Sequence, residues 1–120
     1  MEIYELLMAI KRRPLMYVRE EKIEFIYYLL AGYCFAMYEH NTETNDNIDC
    51  KFVAWFGIWM EKWIKKNKLS DEISIPACWY EYIKKIAKNE KDECKVFYEL
   101  VDIFFEDYNK KRGDFRWRRS

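Results

Sequence analysis

An all-α fold is predicted for this chain of 120 residues: a single-domain bundle of about five helices around a central apolar helix over residues 23–40. Three observations predict it. Apolar residues recur at three- and four-residue steps along each long segment, the period of a helix. Only three Gly and two Pro occur, too few turn residues for the many reversals of an all-β chain. From Phe25 to Tyr38 no side chain is charged, although 35% of the chain is charged. Such a stretch is shorter than the roughly 20 residues that cross a bilayer, so it reads as a helix buried on most of its circumference. The domain is expected to span residues 1–113, followed by a basic tail over 114–120.

The first helix is predicted over Glu2 to Arg12, where Ile3, Leu6, Leu7 and Ile10 share a face. Glu2 and Glu5 near its start and Lys11 and Arg12 near its end suit the helix dipole. Pro14 disfavours helical geometry at Arg13, so the helix stops there. Leu15 to Val18 is expected as a short apolar connector tucked against the core.

The second helix, Ile23 to His40, carries a stripe of Ile23, Ile26, Leu30, Tyr33 and Met37, with Phe25, Leu29, Phe35 and Ala36 filling much of the rest. Gly32 costs helix stability by roughly 1 kcal/mol relative to Ala, which predicts that another helix approaches closely at that point. Asn41 to Asp49 is a polar, acidic loop, with Asn47 or Asp49 placed to cap the next helix.

A third helix is expected from about Cys50 to Lys66, with Phe52, Phe56, Trp59, Met60 and Trp63 inward and Lys62, Lys65 and Lys66 at its end. Pro76 fits the first turn of a fourth helix capped by Ser74, with Trp79, Tyr82, Ile83 and Ile86 facing in. After a polar break at Asn89 to Asp92, a fifth helix runs from about Glu93 to Lys111, with Phe97, Leu100, Val101, Phe104 and Tyr108 on one side and Gly113 as its stop.

Composition excludes several functions. The 21 basic and 21 acidic residues balance, which argues against a dedicated nucleic-acid binder. Cys34, Cys50, Cys78 and Cys94 are scattered, with no Cys-x-x-Cys pair, and no secretion signal is visible; they read as reduced thiols of a cytoplasmic protein. The single histidine, His40, offers a His–acid pair with Glu39 or Glu43, but no nucleophile or second acid accompanies it in a motif. Zinc ligands would have to come from several helices, and neither a phosphate-cradling glycine loop nor a nucleophile elbow is present. No catalytic, cofactor-binding or metal-binding residue is therefore assigned.

Two charge runs are asymmetric. Glu39, Glu43, Asp46 and Asp49 lie together without an intervening Lys or Arg, and Lys110, Lys111, Arg112, Arg116, Arg118 and Arg119 cluster near the end. Most tryptophans read as core, but Trp55, read as turned away from the side of Trp59, is expected to be partly exposed and available to a partner.

Several short motifs carry a resemblance. Ile10 to Val18, IKRRPLMYV, is similar to an Arg-Pro-Gly-Met-Tyr-Leu-Gly motif found near the N-terminus of two groups of proteins. The ATPase subunits of type II topoisomerases are set aside, because this chain is too short and lacks their nucleotide-binding glycines. The second group is the small bacterial immunity proteins of polymorphic toxin and contact-dependent growth inhibition systems. There the motif precedes an apolar helix with a Phe-Leu-x-Gly-Tyr pattern, matched here by Leu29 to Tyr33. Phe56 to Met60, Trp79 with Ile83, and Phe97 to Phe104 resemble further elements of that group, so the likeness touches most of the chain. Both motif glycines are replaced, by Leu15 and Arg19.

The resemblance implies a non-enzymatic cytoplasmic protein that binds and neutralises one cognate toxin, a nuclease such as an RNase, by occluding its active site. No cofactor, membrane or direct nucleic-acid partner is expected, and a homo-oligomer is compatible. The candidate toxin contacts are Glu39, Glu43, Asp46, Asp49 and Trp55, the four acidic residues suiting a basic nuclease groove. The alternative is a small helical nucleic-acid-binding or regulatory protein using Arg12, Arg13 and the basic tail.

Overall fold

The computed structural model describes residues 2–40, 47–67 and 78–110. Five α-helices run through them: α1 (Ile3–Arg12), α2 (Ile23–His40), α3 (Ile48–Lys66), α4 (Tyr80–Ile86) and α5 (Glu90–Lys110), with a 3-10 turn at Pro14–Met16. No strand occurs among the described residues, so the chain is an all-α bundle, as predicted. The expected cap Ser74, the first-turn Pro76, the stop at Gly113 and the tail over 114–120 lie outside the described residues. Backbone contacts group the chain into two compact units, residues 1–53 and 54–120.

In the first unit, α1 buries Ile3, Leu6, Leu7 and Ile10, the predicted face. Its N-cap residue, Glu2, provides no side-chain cap. Asp49 supplies one instead: the Ile3 N–H donates to Asp49 Oδ1 at 2.7 Å. A carboxylate at a helix N-terminus satisfies an orphan donor and meets the positive end of the dipole. α1 ends as Pro14 requires, with Arg13 at ψ 71°, outside the helical region. Pro14 then opens the 3-10 turn, and its carbonyl accepts from the N–H groups of Tyr17 and Val18, both at 2.9 Å.

The connector departs from expectation. Val18 is buried, but Leu15 and Met16 are 71% and 69% exposed. The tight turn after Pro14 projects them outward rather than into the core. α2 has the predicted bounds and buries Ile23, Ile26, Tyr27, Leu30 and Cys34. It is not covered on most of its circumference: Phe25, Tyr28, Phe35 and Tyr38 are exposed. Nor does Gly32 mark a close approach, since a Cβ built there meets no atom within 4 Å.

α3 starts slightly earlier than the pattern suggested, because Asn47 caps it: Asn47 Oδ1 accepts from the Asp49 N–H at 2.8 Å. That leaves the Asp49 carboxylate available to α1.

The second unit is built on aromatic packing. Phe56, Phe97 and Phe104 are fully buried. Phe56 sets its ring edge-on to Trp79, Phe97 and Phe104, at centroid distances of 5.0, 5.8 and 5.5 Å, and stacks on Trp59 at 5.8 Å. Trp79 and Phe97 stack at 5.2 Å with planes 3° apart. Such offset and edge-to-face pairs contribute about 0.5–1.5 kcal/mol each beyond area burial. The close approach expected at Gly32 occurs here at Gly57, whose built Cβ lies 3.4 Å from Trp79 Cδ1.

Polar bonds fix the register of this unit. The Trp59 indole N–H donates to Asp107 Oδ2 at 3.0 Å, joining α3 to α5. Lys84 Nζ donates to Glu93 Oε1 at 3.0 Å, joining α4 to α5. Glu93 is buried, and removing one partner from such a pair costs more than forming it contributes. α5 begins at Glu90, earlier than the predicted Glu93, because Asn89 Oδ1 caps the Asp92 N–H at 3.1 Å and turns the supposed break into a first helical turn.

Candidate functional site

The surface that stands out lies on α2. At about 100° per residue, Phe25, Tyr28, Gly32, Phe35, Ala36 and Glu39 fall within one arc of roughly 100°. All six are exposed. The buried residues Ile23, Ile26, Tyr27, Leu30 and Cys34 occupy the opposite arc. Tyr28 is 60% exposed and Phe35 66%. Isolated apolar side chains at a surface are ordinary, but a row of aromatics along one helix face is a contiguous patch of the kind that marks interaction sites.

The first unit also holds the other large apolar side chains in water. Among the described residues, Tyr4, Leu15, Met16, Tyr17, Phe25, Tyr28, Phe35 and Tyr38 are exposed there, against Ile103 alone in the second unit. Among the described residues, the exposed aromatics therefore all belong to the first unit.

The face has a defined electrostatic character. Ile23–His40 contains Glu24 and Glu39 but neither Lys nor Arg. Two of the exposed rings already attract cations from neighbouring segments. Lys22 Nζ sits 5.8 Å from the Phe25 ring centroid, and Lys51 Nζ sits 5.7 Å from that of Tyr38. An aromatic face carries partial negative charge, so these contacts show the sign of charge the surface favours. Tyr27 meets Tyr28 edge-on at 5.3 Å, which steadies the Tyr28 ring.

The residues predicted from sequence fall in different places. Glu39 is exposed and lies on the same arc as Phe25, Tyr28 and Phe35. Asp49 is half-buried and holds the α1 N-terminus. Trp55 is only 4% exposed, which overturns its expected availability. Four residues along a helix amount to a rotation of about 40°, so Trp55 shares the buried side with Trp59. Glu43 and Asp46 lie outside the described residues. His40 is exposed at the end of α2.

The aromatic face itself is not among the sequence-based expectations, which assign Phe25 and Phe35 to the interior. A signal is present all the same. α2 is apolar all round, and a helix of that kind within so small a chain has more apolar surface than one core side can take.

Cys34, Cys50 and Cys94 are buried and unpaired by disulfides, and Cys78 is half-buried. Burial pushes the Cys34 thiol above its ordinary value, partly opposed by the backbone of Val53 and Phe52. Among the described residues no group of three or more His, Cys, Asp or Glu side chains is placed to hold a metal. No described helix is long and apolar enough to cross a membrane.

Comparison with protein-family models, curated proteins and solved structures finds no match to this chain.

Proposed function

We propose that this chain is a cytoplasmic, non-enzymatic immunity protein that binds one cognate toxin, a nuclease, and blocks its active site by occupying it. The observation that carries this reading is the exposed aromatic face of α2, with Phe25, Tyr28 and Phe35 in a row and Glu39 at its end. Tyr and other aromatics are the side chains that most often anchor protein interfaces, and an acidic flank suits a groove made basic to hold RNA or DNA. The motif resemblance along Ile10 to Phe104 supports the same class. Glu39 keeps its candidate role in this reading, and Asp49 serves it indirectly by holding α1 in place.

The test is co-expression with the product of the adjacent gene, which this reading expects to be a toxin-domain protein. A one-to-one complex that abolishes the toxin's activity is expected, and Tyr28→Ala with Phe35→Ala should weaken it at least tenfold. Absence of a complex, or full toxicity in the presence of the intact chain, overturns the proposal. A second reading, a small helical nucleic-acid-binding or regulatory protein, draws on the exposed Arg12 and Arg13 beside the 3-10 turn. It predicts binding to DNA or RNA that weakens steeply with salt, whereas the immunity reading predicts none.

A further inference from the structure

The first unit carries two unlike apolar features, and their charges are opposite. One is the tip at the 3-10 turn, where Leu15 and Met16 project into water among exposed Arg12, Arg13 and Arg19. It is a preformed knob. Pro14 fixes the turn, the Met16 N–H donates to the Arg13 carbonyl at 3.1 Å, and Arg13 Nη1 lies 4.0 Å from Met16 Sδ. The other feature is the α2 face, aromatic, without Lys or Arg, and open at Gly32, where nothing lies within 4 Å of a built Cβ.

We propose that the tip of one copy seats on the α2 face of a second copy, with Leu15 and Met16 entering the gap at Gly32 and the arginines lying over Tyr28 and Phe35 and against Glu39. Charge and area both select this occupant. Pairing α2 with α2 brings no arginine to the face, because α2 itself contains neither Lys nor Arg. The tip brings three arginines, and the Phe25 ring of this surface already accepts a cation in the Lys22–Phe25 contact.

The apolar area is sufficient for a stable pair. Free aromatic side chains present about 150–250 Å² each, so Phe25, Tyr28 and Phe35 leave roughly 300 Å² in water at their observed exposures. Leu15, Met16 and Tyr17 add a comparable amount. When the contact is made in both directions, each copy contributes both features and the pair closes with twofold symmetry. The apolar area per copy is then on the order of 600 Å², which with a polar rim reaches the ~800 Å² per partner of a standard interface. The second copy takes the same face as the proposed toxin contact, so toxin binding displaces it; self-association is measured on the chain alone and stands or falls apart from that reading.

Sedimentation velocity of the purified chain across micromolar concentrations tests it. A reversible dimer that weakens with added salt is expected. Leu15→Asp, which damages only the tip, and Phe35→Asp, which damages only the face, should each raise the dissociation constant by about tenfold or more, the scale of an interface hot spot. An equimolar mixture of the two variants should then associate more tightly than either variant alone, though less tightly than the parent, because one of the two contacts keeps an intact tip and an intact face. Both positions are exposed, and unchanged far-ultraviolet circular dichroism verifies the fold; Leu15→Ser and Phe35→Ser replace any variant that fails this check. A chain that stays monomeric throughout overturns the proposal. So does a Leu15 variant that dimerises like the parent while the Phe35 variant does not, which would mean face-to-face pairing, or a mixture that associates no more tightly than either variant alone.

Discussion

Asp49 shows how one side chain takes on a task that sequence position does not announce. It lies in the acidic run after α2 and comes two residues after a capping Asn47, so it resembles a solvated loop acid. Its carboxylate instead reaches 46 residues back to the Ile3 N–H. Loss of a helix-capping oxygen typically costs about 1 kcal/mol, so Asp49→Ala should lower the unfolding free energy by roughly that amount in a urea titration, whereas Glu39→Ala should leave it nearly unchanged. The two helical glycines separate in the same way. At Gly32 an added methyl meets open space, so Gly32→Ala should stabilise the chain by up to about 1 kcal/mol through helix propensity alone. At Gly57 the Trp79 ring lies at contact distance, so Gly57→Leu should destabilise it. Protonation is tied to burial as well. Burial raises the Cys34 thiol above its ordinary 9.0, and burial likewise raises the Tyr33 and Tyr82 hydroxyls above 10.0, with nearby acids adding to the effect. The folded state therefore holds these protons more tightly than the unfolded chain. Their contribution is intact below about pH 9 and is lost as pH rises through the folded-state values, so urea titrations from pH 8 to about 10.5 should show falling stability.

At the scale of elements, helix identity was legible and helix coverage was not. The period placed α1, α2 and the buried faces of α3 and α5 correctly, because spacing reports which residues share a side. Ends were harder. α5 begins at Glu90 because Asn89 is a cap, a local choice that a run of polar residues conceals. Coverage fails for a different reason: a stretch without charges states that a helix tolerates burial, not that neighbours exist to bury it. Phe25, Tyr28 and Phe35 were thus indistinguishable from core, and Trp55 was misplaced by a wrong angle to Trp59. The candidate face was accordingly invisible except as excess apolarity, while Glu39, one of its exposed members, was identifiable from the acidic run. Substitution separates the two kinds of aromatic. Phe56→Ala removes a ring contacting four others and should cost about 3–5 kcal/mol in urea titration. Phe35→Ala, made on a side chain 66% in water, should change stability by less than about 0.5 kcal/mol while impairing binding. A large stability loss at Phe35 would show that the face belongs to the core.

For the whole molecule, the partition between residues 1–53 and 54–120 has a practical consequence for spectroscopy. All five tryptophans come after Val53 in the sequence. Trp55, Trp59 and Trp79 are buried, and Trp63 is half-buried in a stack with Trp59 at 6.0 Å. Indole emission on excitation near 295 nm therefore arises from side chains of the second unit alone, whereas circular dichroism at 222 nm sums helix from both. Coincident urea transitions by the two signals would establish that the units melt as one cooperative body. A dichroism change that precedes the shift in emission would assign the weaker structure to the residues that bear the aromatic face, and would give that face its own measurable free energy of opening.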